Sequence, residues 1–437
     1  MDTEQAIEKS KEYEMENKQI LQILKHEFAP ALGCTEPVAI AYAAAKARKV
    51  LGKMPVRAVV NVSRNILKNA MGVGIPGTDM VGLEMAAALG IIGGDSDAVL
   101  EVLQKITKSD VERAEAFARE RVSVSLKDTP QKLYIEIILE TADDSSKVVI
   151  EDSHTNITKI FRGVTSIYDK NSCEELQEGK ASGQGLTVEK IYRFVVSEEV
   201  SKFEFMEECI RMNRTAAEEG LKGDYGLNVG KSLFESIKGR PLKENVPVYA
   251  AAMAAAAADA RMSGSTLPVM TVCGSGNQGL TATLPVIAAA EAMELDKEKL
   301  LRALALSCLT TIHVKQYIGK LSPLCGCGMG SSIGVCCALV YMQGGGMEEI
   351  KSAIRNMIAD VSGIICDGAK AGCALKIGTV VSGAFQCSML ALNKKSAGNL
   401  DGIVAKDVES TIKNLGELGN RGMADTDRVI LDMMVCS

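Results

Sequence analysis

A chain of 437 residues is long enough to bury a large core and to divide into two or three domains. Its formal net charge of −6, with no basic block, excludes nucleic acid and anionic membrane surfaces as expected partners. Tryptophan is absent and aromatics reach only 4%, which leaves no stacking platform for bases and suits tightly packed helices of small residues.

The first 19 residues are highly charged, so no signal peptide is expected. Thirteen cysteines without a secretion signal then place the protein in a reducing cytoplasm. The longest apolar runs, such as 249–260, are too short and too alanine-rich to cross a bilayer, so no membrane partner is expected.

Residues 3–28 read as one amphipathic, charge-rich helix. The loop PALGCTEP (30–37) follows, then a small-residue helix over 38–50 that Thr35 or Glu36 can cap. Cys34 thus sits just ahead of a helix N-terminus, where the dipole favours a thiolate. A buried loop thiol is the equally weighted alternative. A strand is expected at 56–63, and the glycine-rich stretch 71–90 reads as a loop entering a close-packed helix. Its Gly77-Thr78-Asp79 offers backbone amides to an anion, although a plain turn is the commoner use of such a loop. A helix over 95–120 precedes strands at 122–127, 132–140 and 147–151. In the second of these, Leu133, Ile135, Ile137 and Leu139 alternate as in a half-buried strand.

These elements define an α+β protein: an N-terminal mixed α/β domain with a small antiparallel-type sheet over residues 1–185. His154 falls in the polar turn DSHTN (152–156), a setting suited to orienting or binding a carboxylate, whereas a lone histidine is more often structural. From 186 to 437 the pattern is a mostly α-helical catalytic domain, with helices at 187–200, 203–221, 245–262, 281–293, 297–311, 331–343, 347–362, 376–393 and 405–416. The interruption at 263–280 contains a formal G-x-G-x-x-G (Gly274, Gly276, Gly279). Helices rather than a βαβ unit surround it, so it fails as a dinucleotide fingerprint. Ser275, Asn277 and Gln278 are read instead as the lining of a small-molecule pocket.

Three cysteines stand apart. Cys325 lies in LSPLCGCGMG (321–330), and Cys366 and Cys373 lie in ICDGAKAGCALK (365–376). Flanking glycines leave room for a bulky group and let backbone amides approach the sulfurs. Structural zinc usually shows CxxC knuckles, and the chain has none. Three separated cysteines suit a [4Fe–4S] cluster with one iron lacking a protein thiolate, although spacing alone leaves both metals open. Cys308, Cys336, Cys337 and Cys387, in apolar helical stretches, read as packing.

The segments PALGCTEPVAIAYAAA, GIPGTDMVGL, DSHTNI, CGSGNQGLTATLPV, LSPLCGC and ICDGAKAGCALK, in this order and over nearly the whole chain, resemble the L-cysteine desulfidase family, a set of serine-dehydratase-like proteins. The chain is similar, more distantly, to the iron–sulfur L-serine dehydratases. The resemblance implies a [4Fe–4S] enzyme that breaks L-cysteine into pyruvate, ammonia and hydrogen sulfide. Cys325, Cys366 and Cys373 match its cluster cysteines and Cys34 its further cysteine, with Cys327 leaving open which member of the CGC pair ligates. In that chemistry Cys34, His154 and Lys315, in that order, are candidates for the base. Thr35, Ser275, Asn277 and Gln278 are candidates for contacts with a small amino-acid substrate. A homodimer is the expected assembly. The competing readings are an iron–sulfur L-serine dehydratase and a non-catalytic amino-acid-binding protein with a structural metal.

Overall fold

The computed structural model describes residues 3–170, 185–319 and 321–436. Helix α1 (Thr3–His26) leads into β1 (Phe28–Leu32) and α2 (Thr35–Leu51). Then come β2 (Arg57–Val62), α3 (Arg64–Ala70), α4 (Leu83–Gly93), a 3-10 turn at Ser96–Glu101 and α5 (Lys108–Arg121). Strands β3 (Val122–Leu126), β4 (Tyr134–Glu140), β5 (Ser145–Glu151), β6 (Ile157–Arg162) and β7 (Thr165–Asp169) close this part.

The helical part starts with α6 (Val188–Ser197), α7 (Glu207–Lys222), α8 (Val229–Ser236) and α9 (Val246–Met262). Strand β8 (Pro268–Val272), α10 (Gly276–Ala292), α11 (Lys297–Ile318) and α12 (Ser332–Met342) come next. The chain continues through α13 (Met347–Val361), α14 (Cys373–Leu392), α15 (Val408–Glu417) and α16 (Thr426–Cys436). The protein is α+β.

Six strands form one sheet in the order β3-β2-β4-β5-β6-β7. All neighbours are antiparallel except β2 and β3. The alternation read in β4 sets its register: Ile135, Ile137 and Leu139 face Val62, Val60 and Ala58 of β2, and all six are buried. A one-residue slip would turn this set toward solvent. Helix α2 packs on β4 and β5, and α4 packs on α2 so closely that a Cβ on Gly90 would lie 2.2 Å from the Ala41 carbonyl oxygen. Only small residues permit that approach.

The second core is wrapped around α9, whose alanines are buried by α7, α8, α10 and α14. The apolar run at 249–260 is therefore a core helix. Among the described residues one helix, α14, is long and apolar enough to cross a membrane, and 44% of its apolar window is buried inside the fold.

β1 and β8 pair antiparallel, Phe28 opposite Val272 and Leu32 opposite Pro268. Both had read as loop. Each is five residues long and carries a proline, so no alternation marks it. The G-x-G-x-x-G thus does follow a strand and open a helix. The strand belongs to a two-stranded antiparallel ladder, however, so the parallel crossover of a dinucleotide fold is missing. The helix expected over 95–120 is broken, because Thr107 caps a new helix through a reciprocal box with Asp110. α11 runs past Thr311 to Ile318, the Thr311 hydroxyl being spent on the Ser307 carbonyl one turn back (2.8 Å). His313 and Lys315, beyond the end of the helix expected at 297–311, are consequently held on a rigid, buried helix.

Candidate active site

Between the two cores lies a cavity of about 840 Å³. The two cysteine segments meet at it through a short zipper. Leu324 and Ile365 form an antiparallel bridge, the Cys325 amide donates to the Ile364 carbonyl (3.0 Å), and the Cys366 amide donates to the Pro323 carbonyl (2.6 Å). Cys325 and Cys366, 41 positions apart in the chain, are thereby placed on adjacent extended segments. Cys373 opens α14, and its thiol faces the Gly368 carbonyl at 3.8 Å. Gly368 takes φ +96°, and a Cβ there would lie 2.3 Å from the Lys68 carbonyl oxygen, so this turn admits glycine alone.

Cys325 and Cys327 share a hydrogen bond of 3.3 Å. That bond first, and burial after it, hold the Cys327 thiol well above its ordinary range. The same bond brings the Cys325 thiol down to about 7, against burial. Burial pushes Cys373 up to about 12. All four thiols line the cavity.

Three lysines stand around them. Lys68, 1% exposed, donates to the Cys366 carbonyl (2.9 Å) and ion-pairs with Asp427 of α16, which Asn65 also holds at 2.8 Å. Lys376 donates to the Ile365 carbonyl (2.9 Å) and pairs with Asp367. Lys315 donates to the Gly319 carbonyl (2.6 Å), and burial draws its ammonium below the usual range. Its Nζ and Gln278 Oε1 both crowd Gly326, 3.0 and 2.8 Å from where a Cβ would stand, directly between Cys325 and Cys327.

A further part of the lining comes from the GCTEP loop. Gly33, at φ +60°, packs against Pro76, which a Cβ would meet at 2.1 Å. Cys34 is the N-cap residue of α2, but its side chain caps nothing. Its thiol donates instead to Glu36 Oε2 (3.1 Å), which also accepts from Thr35 (3.1 Å). Asn69 donates to Oε1 (3.1 Å), and His154 stands 3.8 Å from the same oxygen. The expectation of a dipole-favoured Cys34 thiolate is corrected here: burial first, and then the Glu36 carboxylate, push this thiol well above its ordinary range. Glu36 holds the charge. Burial works against it, but His154, Cys34 and Asn69 keep its carboxyl well below the usual range. Cys34 still reaches the site, packing with Val73 and Met262 in a small cluster that Cys373 touches.

Ser275 caps α10 by accepting from the Gln278 amide (3.4 Å), and Gln278 donates to the Val272 carbonyl (3.1 Å). Asn277 accepts from Arg261 (3.0 Å). The cavity thus brings Cys34, Thr35, His154, Ser275, Asn277, Gln278, Lys315, Cys325, Cys366 and Cys373 together. Gly77-Thr78-Asp79 lies apart. Thr78 makes a plain turn with Ile75 and Met80, beside a second pocket that includes Glu219. His313 is buried against Glu409 at 2.7 Å.

Sequence reading passed over Lys68, Arg261 and Asp427, and took Glu36 only as a possible helix cap. Arg261 had a signal: with Asp259 it carries the only charges in α9, an otherwise alanine-rich helix. Lys68 and Asp427, 359 positions apart, had none.

A two-core α+β protein with cysteines gathered in its cleft matches the family described as serine dehydratase alpha chain over residues 97–432, and the chain belongs to that family. At closer range it is 42% identical to a UPF0597 protein of Bacteroides thetaiotaomicron, over 96% of this chain and 98% of the relative. UPF0597 proteins of Aeromonas hydrophila (95% of both chains) and Oleidesulfovibrio alaskensis (95% of this chain, 97% of the relative) are also 42% identical.

Proposed function

We propose that this chain is an iron–sulfur lyase that eliminates sulfide from L-cysteine, yielding pyruvate and ammonia. The observation that carries the reading is the gathering of Cys325, Cys366 and Cys373, with Lys315 and Arg261, around one cavity between two cores.

A single bound ion needs donors converging at about 2.3 Å. Among the described residues no three of His, Cys, Asp and Glu converge in this way. An iron–sulfur cluster asks for a different arrangement, soft thiolates on separate irons, spread around a larger body. Cys325, Cys366 and Cys373 fit that demand, and they would hold the cluster. Gly328 keeps the space beside Cys325 clear, since a Cβ there would come within 3.3 Å of its sulfur. Held by these thiolates, such a cluster would supply Lewis-acid chemistry suited to a soft sulfur leaving group.

The protein's own groups do the rest. Lys315, with its ammonium drawn below the usual range by burial, is the proton acceptor for Cα–H, while Cys34 lines the same cavity with its thiol protonated and His154 stands 3.8 Å from Glu36. Closing the substrate between the two cores keeps water from the carbanionic stage. The released aminoacrylate hydrolyses in solution.

The family description favours a second reading, loss of hydroxide from L-serine. One experiment separates the two. The protein is purified anaerobically, its visible spectrum and iron content are recorded, and sulfide and pyruvate are measured with L-cysteine and L-serine in parallel. A much larger kcat/KM for L-cysteine supports the desulfidase reading. Comparable values support the dehydratase, and a colourless, iron-free and inactive protein removes both.

A further inference from the structure

Arg261 is 4% exposed, on the last turn of α9. A buried guanidinium is normally matched by a carboxylate, because stranding a charge away from water is costly. Among the described residues its polar partners are an amide and a carbonyl oxygen, and no carboxylate pairs with it. Its five N–H donors are only partly used. One terminal nitrogen donates to Asn277 Oδ1 (3.0 Å) and the other to the Gly33 carbonyl (2.5 Å). The Nε–H is buried without a partner.

The guanidinium also lies against the N-terminus of α10. A Cβ on Gly276 would stand 2.3 Å from Nε and 2.8 Å from one terminal nitrogen. The positive end of a 17-residue helix and a full positive charge therefore share one corner of the cavity. Two other charged groups of the lining have their partners: Lys68 pairs with Asp427, and Glu36 accepts from Cys34, Thr35 and Asn69.

We infer that Arg261, with the first turn of α10, is the receptor for the carboxylate of the amino-acid substrate. Resting on the lyase reading above, this assigns the substrate's acid end to the corner where the last turn of α9 meets the start of α10. The Asn277 and Gly33 contacts aim the guanidinium and tie both cores to it, so substrate binding and the seating of the Cys34 loop share one residue.

The test uses anaerobically purified protein and calorimetric binding of L-alanine, which keeps the amino-acid ends but has no leaving group, and of L-alaninamide, which lacks the carboxylate. The wild-type protein is expected to bind L-alanine at least tenfold more tightly than L-alaninamide. Arg261→Gln is expected to lose that preference, and Arg261→Lys to retain part of it. Equal affinities in the wild type would overturn the inference without recourse to any variant. So would an Arg261→Gln protein, with wild-type thermal unfolding, that still prefers L-alanine tenfold. If L-cysteine is turned over in either case, the lyase reading survives and only the receptor falls. If neither probe binds and no amino acid is turned over, both fall.

Discussion

Asp427 and Lys68 offer the sharpest energetic test, because the pair joins the last helix to the cysteine site. Lys68 is 1% exposed and Asp427 is its only carboxylate partner among the described residues. Asp427→Leu leaves a buried ammonium uncompensated, which costs about 3–5 kcal/mol. Lys68→Met leaves Asp427 less stranded, since that carboxylate is 16% exposed and keeps Asn65. It does orphan the Cys366 carbonyl, at a cost of about 1–3 kcal/mol. Removing both partners eliminates the stranded charge, so the double variant is expected to be about as stable as Lys68→Met and more stable than Asp427→Leu. Urea unfolding followed by circular dichroism gives the four free energies of the cycle, and labelling of Cys366 by a thiol reagent reports on its loop. Single-variant costs that simply add, with unchanged Cys366 labelling, would refute the claim that α16 fastens this loop through Lys68.

Alanine at Cys325, Cys366 or Cys373 is expected to remove most of the iron and the broad visible absorption, whereas alanine at Cys327 or Cys337 leaves both largely intact. Iron retained in Cys325→Ala but lost in Cys327→Ala would reverse the assignment within the CGC turn. Cys34→Ser is expected to keep its iron and lose most turnover; full activity would remove Cys34 from the site. Burial raises the Asp259 carboxyl to about 6 from an ordinary 3.8, against backbone donors at Gly230, Val229 and Leu227. With the folded value above the unfolded one, its favourable contribution is complete below about pH 3.8 and lost by about pH 6, at most about 3 kcal/mol. Asp259→Asn should therefore melt higher than the wild type at pH 7 and level with it near pH 4; the opposite order would show the carboxylate to be stabilising where it lies.

What the sequence made legible is what local pattern and composition encode. Alternation in β4 named its buried face, the alanine-rich stretch of α9 named a core helix, and glycine around Cys325, Cys366 and Cys373 marked the thiols that meet in the cleft. What stayed hidden depends on distant pairs. β1 and β8 become strands only because each supplies the other's ladder from some 240 positions away. Nothing local to Lys68 foretells Asp427.

Cys34 shows how such a distant or directional term can reverse a local one. The helix dipole amounts to about half a charge at an N-terminus and contributes roughly 0.3–1 kcal/mol, at most about 2. A full charge at 4 Å contributes on the order of 4 kcal/mol at the effective dielectric of a protein. Glu36 Oε2 is nearer than that, 3.1 Å from the Cys34 sulfur, and it is held there by Thr35, while Asn69 and His154 fix the other oxygen. Arg261 opposes it only in part. Burial first, and the carboxylate with it, prevail, and Cys34 keeps its proton in the resting protein. The sequence places Glu36 two residues away but cannot say where its side chain aims. That aim is decided by Asn69 in the last turn of α3 and by His154 in the β5–β6 turn, so the protonation of Cys34 is a property of the assembled sheet domain rather than of its own loop.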